Sequence, residues 1–238
     1  IALDREDDDP NRFYAALEDF RYLPAGRITA GAGTGRTVTL FNCFVMGRIE
    51  DSMAGIFDGL KEAALTMQQG GGIGYDFSTL RPSGTPAVSV GVTASGPVSF
   101  MHIWDAMCAT ILSTGARRGA MMATLRCDHP DIEAFIRVKH DAVKLRHFNL
   151  SVLVSDAFMQ AVHDDADWPL VFPMGPRDVA SADKTVERIW SGSGKPVRCR
   201  VHRTVRARGL WDQIMHATYD YAEPGVIFID RVNEQNNL

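Results

Sequence analysis

One thiol, one run of glycines and one pair of arginines are the residues of this chain whose types and spacing could do chemistry together. Cys43 lies in Arg36-Thr37-Val38-Thr39-Leu40-Phe41-Asn42-Cys43-Phe44-Val45-Met46, whose alternating apolar residues read as a strand with the thiol in its core. Downstream, Gln68-Gln69-Gly70-Gly71-Gly72-Ile73-Gly74 would let backbone approach a ligand closely, because no Cβ intervenes. In Ser113-Thr114-Gly115-Ala116-Arg117-Arg118-Gly119-Ala120, two adjacent guanidinium forks are flanked by glycines and suit anionic oxygens. A thiol, a close-approach turn and an arginine loop point to redox chemistry on an anionic ligand. Each also has a plainer alternative: a buried cysteine packing as a small hydrophobe, a helix stop, and a solvated pair of arginines.

The other thiols supply no obvious partner for Cys43. Cys108, Cys127 and Cys199 form no CxxC or CxxxH spacing, which argues against structural zinc, and four cysteines are too few for a secreted disulfide scaffold. His129, His140 and His147 do not repeat at helical i,i+4 spacing and join no carboxylate cluster, so no metal site is expected. The glycine run lacks the Lys-Ser/Thr ending of a phosphate-binding loop and follows a helical pattern rather than a strand, which separates it from dinucleotide fingerprints. A net charge of −4 gives no electrostatic case for nucleic acid. No apolar run approaches the roughly 20 residues that span a bilayer, so no membrane partner is expected; the sparse cysteines make a reducing cytoplasm the expected setting. The chain starts at Ile1, and Asp4-Arg5-Glu6-Asp7-Asp8-Asp9-Pro10 reads as a frayed acidic end, so a fragment is expected.

The elements that must position these residues read as follows. Residues 11–20 suit a short helix, and the four glycines between Gly26 and Gly35 read as a loop. A strand over 38–45 precedes an amphipathic helix over 53–68, marked by Ile56, Leu60, Ala63, Ala64 and Met67 and stopped by the glycines. Residues 79–96 read as a loop, and Ser95-Gly96-Pro97 opens a helix. Its face of Phe100, Ile103, Trp104, Met107, Cys108 and Ile111 is either core or a helix–helix dimer seam. A strand at 121–125, a helix opened by Asp128-His129-Pro130-Asp131, a strand over 147–154 and a helix capped by Ser155 or Asp156 follow. Residues 174–206 read as a hairpin or surface excursion, and a helix over 208–221 and a strand over 226–229 end the pattern. Strands alternating with helices imply an α/β fold with parallel pairing.

Taken in order, these segments resemble the large catalytic subunit of ribonucleotide reductase, above all its adenosylcobalamin-dependent class II members. The carrying residues are Leu23-Pro24-Ala25-Gly26-Arg27-Ile28, Ala32-Gly33-Thr34, Phe41-Asn42-Cys43-Phe44-Val45, Gly70-Gly71-Gly72-Ile73-Gly74, Gly115-Ala116-Arg117-Arg118-Gly119-Ala120, His129-Pro130-Asp131-Ile132, Asn149-Leu150-Ser151-Val152 and Asp230-Arg231-Val232-Asn233. The resemblance implies a ten-stranded α/β barrel, with residues 1–22 a helical lead-in and 23–238 its first half, ending before the radical-bearing cysteine. It implies that Cys43 is one of two redox cysteines in the radical reduction of ribonucleotides, as diphosphates or triphosphates, to 2′-deoxyribonucleotides for DNA synthesis. Gly26, Arg27, Ala32, Gly33, Asn42, Gly71 and Gly72 would hold the ribonucleotide substrate. Asp51, Ser52, Met53, Arg81, Arg117 and Arg118 would serve a deoxynucleotide effector at a homodimer interface. Val88 departs from the aerobic members, which carry an effector-binding arginine there. Adenosylcobalamin is the implied cofactor and a thioredoxin-type protein the implied reductant; a fragment alone would not turn over. Two other readings stay open: a non-catalytic nucleotide-binding module, and the diferric-radical class of reductase.

Overall fold

The computed structural model describes residues 9–35, 38–87, 92–111, 119–141, 143–175, 184–191, 193 and 195–237. They fall in two compact units, 1–42 and 43–238. The first unit opens with α1 (Pro10–Leu17), whose first turn is closed by Asp9 accepting the Asn11 N–H and by Pro10 at the first helical position. After a 3-10 turn at Glu18–Phe20 comes α2 (Gly26–Gly31). The glycine count between 26 and 35 predicts a loop, and the structure corrects this. The helix needs only six residues, Thr29 Oγ1 bonds back to Pro24 and Ala25, and Thr34 Oγ1 closes its end on the Gly31 carbonyl. Gly31 fits because Val38 and Leu40 side chains stand 3.1 Å from where its Cβ would be. The loop survives only from Ala32 onward, where Gly33 takes φ 72°.

The second unit runs β1 (Cys43–Val45), α3 (Met53–Gln68), β2 (Gly72–Asp76), β3 (Pro86–Ala87), β4 (Val92–Thr93), α4 (Pro97–Thr110), β5 (Met121–Arg126), α5 (Ile132–Arg137), β6 (Phe148–Val154), α6 (Asp156–His163), β7 (Asp167–Pro173), β8 (Thr185–Ile189), β9 (Pro196–Arg206), α7 (Ala207–Tyr221), β10 (Gly225–Phe228) and α8 (Ile229–Gln235). Ser52 caps α3 by accepting the Gly55 N–H, and Ser155 caps α6 by accepting that of Phe158. The 79–96 stretch holds a two-residue hairpin, β3–β4, where the sequence reads only as a loop.

Five strands form one parallel sheet in the order β1-β2-β5-β6-β10, which is chain order. Crossovers of one hand without a reversal put every connecting helix on one face, as in a barrel wall rather than a doubly wound sheet. Alternation confirms it. Ile73, Tyr75, Met121, Ala123, Leu125, Phe148, Leu150, Val152 and Val154 join Ile56, Met67, Trp104, Phe135, Phe158 and Ile214 in one buried core. Trp104 belongs there completely, edge-on to Phe77 at 5.5 Å and Tyr75 at 6.0 Å. The dimer-seam reading of α4 therefore loses Trp104 and Cys108, both core residues, and keeps only the half-buried Phe100, Ile103, Met107 and Ile111.

β7, β9 and β8 make a separate antiparallel sheet with its own core of Val171, Trp190 and Cys199. The hairpin expected over 174–206 is β8–β9, joined on its far side by β7. Arg126, at the end of β5, fixes this sheet. Its guanidinium bonds both Asp128 carboxylate oxygens, donates to the Ile189 carbonyl at 3.0 Å and lies over the Trp190 ring at 4.6 Å. No helix among the described residues is long and apolar enough to cross a membrane.

Candidate functional site

The sheet face away from the helices carries the candidate chemistry. The register pairs Cys43 with Gly72, then Val45 with Gly74, Met122 and Asn149, then Asp76 with Thr124, Ser151 and Gly225. Because side chains alternate along each strand, these rows share one face. Cys43 and Gly72, 29 positions apart in the sequence, thus lie side by side at the N-terminal ends of neighbouring strands. The expectation that Cys43 is a core residue is corrected: the thiol is exposed. The strand is three residues long at the sheet edge, so its inward residue is Phe44 alone, while Cys43 and Val45 point to the opposite face and are exposed.

Gly71 serves this geometry through packing. A Cβ there would stand 2.7 Å from the Phe44 ring and 3.0 Å from the Thr66 methyl, so the missing side chain makes room for the ring that anchors β1. The remaining thiols are buried, and burial pushes them up: Cys108 and Cys199 to about 11 and Cys127 to about 12. Cys43 is the only exposed thiol of the four.

A second cluster forms between β1 and α3 and after β2. Asp51 and Arg81 meet there through three contacts: Nε to Oδ2 at 2.8 Å, the Arg81 N–H to Oδ1 at 3.2 Å, and Nη2 to the Asp51 carbonyl at 3.1 Å. Thr79 Oγ1 donates to the Ile49 carbonyl at 2.7 Å and binds the same two segments together. Ser52 caps α3 and Met53 is its exposed first residue. Asp51, Ser52, Met53 and Arg81 are therefore one surface, with 30 positions separating Asp51 from Arg81 in the chain. Arg117 and Arg118, like Val88, lie outside the described residues.

Gly26, Arg27, Ala32, Gly33 and Asn42 belong to the first unit. Gly26 and Arg27 form the first turn of α2, Ala32 and Gly33 the turn that leaves it, and Asn42 its last residue. A cavity of about 680 Å³ opens at the C-terminal strand ends, the opposite end from Cys43, with Asp76, Arg126, Leu153, Trp190, Asp230 and Asn233 in its wall. Asp128 contacts both of the arginines lining it, Arg126 at 2.8 Å and Arg188 at 3.5 Å. Sequence reading missed the polar residues Thr124, Asn149 and Ser151 on this face. Their signal was the alternation of Met122, Thr124 and Arg126 within 121–126 and of Asn149 and Ser151 within 148–152, which breaks at Leu153.

A parallel, singly wound α/β barrel wall with an exposed thiol at the start of its first strand defines the class. The chain belongs to the ribonucleotide reductase barrel-domain family, whose model matches residues 41–238. It is 38% identical over 226 residues to the vitamin B12-dependent ribonucleoside-diphosphate reductase of Mycobacterium tuberculosis H37Rv, covering 94% of this chain and 28% of that protein. The enzyme of that name from Thermoplasma acidophilum is 37% identical over 227 residues, 95% of this chain and 26% of the relative. The ribonucleoside-diphosphate reductase large subunit of monkeypox virus is 28% identical over 233 residues, 94% of this chain and 29% of the relative. The chain thus spans less than a third of the length of these relatives.

Proposed function

We propose that this chain is the thiol-bearing half of the catalytic barrel in a vitamin B12-dependent ribonucleoside-diphosphate reductase of the cytoplasm. The observation that carries the proposal is the exposed Cys43 in register with Gly72 on the neighbouring strand, inside the family-matched segment. In the proposed reaction the ribose 2′-hydroxyl leaves as water and a hydrogen takes its place. Two thiols supply the electrons and end as a disulfide. Cys43 is one of the two, and the buried thiols of Cys108, Cys127 and Cys199 are unsuited to be the other. Gly72 leaves the nucleotide free to lie against the backbone beside the sulfur, and Gly71 holds that strand in place through Phe44. Gly26, Arg27, Ala32, Gly33 and Asn42 are assigned to the substrate and its phosphates. A thioredoxin-type dithiol restores the reduced state.

Adenosylcobalamin, when bound, supplies the radical through homolysis of its cobalt–carbon bond. Among the described residues, the two arginines that line the cavity at the strand ends, Arg126 and Arg188, are both held by Asp128. No residue of this chain is assigned to the cofactor, and the steps above rest on the chain's own thiol and backbone.

Asp51, Ser52, Met53 and Arg81 are assigned to a deoxynucleotide effector, with Arg117 and Arg118 in a loop that relays it. The partly exposed apolar stripe of Met53, Phe57, Leu60 and Ala64 on α3, together with Phe100, Ile103 and Met107 on α4, supports a homodimer seam. The test of the whole reading is Cys43→Ser in the full-length enzyme. Multiple turnover with a thioredoxin-type reductant should vanish while nucleotide binding persists. Ordinary steady-state turnover by that variant would end the assignment.

A further inference from the structure

Asp131 stands at the N-cap position of α5, yet its side chain makes no capping bond to that helix. An aspartate at this position ordinarily accepts from its own first turn. Here its Oδ2 accepts the Ser83 N–H at 2.9 Å, 48 positions away. The same carboxylate fills the space beside Gly96, where a Cβ would collide with Asp131 Oδ2 and with Ser83, and Gly96 takes φ 80°. One carboxylate therefore touches both ends of the 83–96 excursion. Two residues earlier, buried His129 bonds the Leu80 carbonyl through Nε2 at 3.0 Å, and its Nδ1 accepts the Asp131 N–H at 3.0 Å. That pattern fixes the neutral tautomer with the proton on Nε2. The His129–Asp131 turn thus grips the main chain at Leu80 and at Ser83, on either side of Arg81.

Arg81 is also tied to Asp51 from its own side chain and backbone. What Asp51 does not set is the path of the chain on leaving Arg81, and that path runs through Ser83. We propose that the His129–Asp131 turn is a positioning element for Arg81: it sets the guanidinium for the phosphates of a nucleoside triphosphate bound at Asp51, Ser52 and Met53. This rests on the effector reading of those residues. His129 and Asp131 touch no ligand in it; they act through the backbone.

The local turn supplies a clean test. Thr85 N–H donates to the Pro82 carbonyl at 3.3 Å and Gly84 has φ 80°, the pattern of a type II turn with Ser83 at its second position. Proline is favoured at that position, so Ser83→Pro suits the turn; it deletes the N–H given to Asp131, and its ring carbon displaces the Asp131 carboxylate from the place of that hydrogen. Ser83 is exposed, so Asp131→Ala leaves its N–H open to water rather than buried. The measurement is the affinity of the full-length enzyme for each deoxynucleoside triphosphate by equilibrium dialysis, with Arg81→Ala as a reference. Each single variant is expected to weaken binding about tenfold, the scale of one hydrogen bond to a charged acceptor. The double variant should be no weaker than either single one, since both remove one bond. A structural role alone would not couple the two in effector affinity. If Arg81→Ala loses effector and Ser83→Pro binds it like wild type, the positioning proposal is overturned and the effector reading stands. If Arg81→Ala also binds normally, the effector reading itself fails.

Discussion

On the helix-covered face of the five-stranded sheet, Leu125, Val152 and Val154 are 0% exposed; on the other face Val45 is 99% exposed and Asn149 stands open. The two faces share strands, backbone and hydrogen bonds, and differ only in the parity of the residue. The covered face is uniformly apolar and supplies the burial that holds the unit together. The other face carries a thiol, glycines, Asn149, Thr124 and Ser151. Parallel sheets are ordinarily covered on both faces, and a wall of this kind finds its second cover in the interior of a barrel. One face of each strand makes the core; on the other, Cys43, Val45 and Asn149 stand open, while Gly72, Ser151 and Leu153 are buried.

Neighbouring residues of β6 give the sharpest way to break this contrast. Leu150, 2% exposed, points into the core, and Asn149 points the other way. Leu150→Ala should cost about 2–5 kcal/mol in unfolding free energy, the range for a buried leucine. Asn149→Ala should change stability by no more than about 0.5 kcal/mol. Urea unfolding of the two variants measures both. Comparable losses would show that the open face also bears on the fold.

The next effect is set by pH. Burial pushes His129 down to about 4 from its ordinary value near 6.5. Below about pH 6.5 the unfolded chain binds a proton that the folded protein refuses, so the unfolded state gains on acidification. Stability should be constant above that pH, fall as pH drops from about 6.5 to about 4, and lose up to about 3 kcal/mol across the window. His129→Gln should flatten the slope. An unchanged slope in that variant would assign the acid sensitivity to other groups. The α3 cap comes next: Ser52→Ala removes the acceptor for the Gly55 N–H and should cost about 1 kcal/mol, read from the thermal unfolding midpoint.

Much of this was legible in the chain. The helix over 53–68 was set by its apolar spacing and glycine stop, and the alternation of strands and helices gave the parallel α/β class. Other features resist local reading. Composition cannot show that a glycine-rich stretch such as 26–31 makes one helical turn and a half, because its support comes from Thr29 and from Val38 and Leu40 across the turn. Nor can it tell an edge strand from a central one, and Cys43 is exposed because β1 is short and lies at the edge. Trp104 has the same ambiguity on a helix, where an apolar face reads alike whether it meets its own sheet or another subunit. The pairs Asp51–Arg81 and Ser83–Asp131 are made by topology over 30 and 48 positions, and no local signal marks them.

The smallest expected change in stability falls on the residue with the largest expected role in turnover. Cys43 sits at an exposed edge position, so Cys43→Ser should leave the unfolding midpoint in urea unchanged within about 0.5 kcal/mol. Reactivity should separate it from the other three thiols just as sharply. The thiolate is the nucleophile, and burial holds Cys108, Cys127 and Cys199 in the protonated form far above neutral pH. Brief treatment of the native protein with iodoacetamide should modify Cys43 alone, mapped by peptide mass spectrometry, and treatment in urea should modify all four. Bound nucleoside diphosphate should slow the native reaction if substrate lies against Gly72 beside the sulfur. Equal labelling of the four thiols in the native state would erase the difference between the two faces on which the assignment of Cys43 rests.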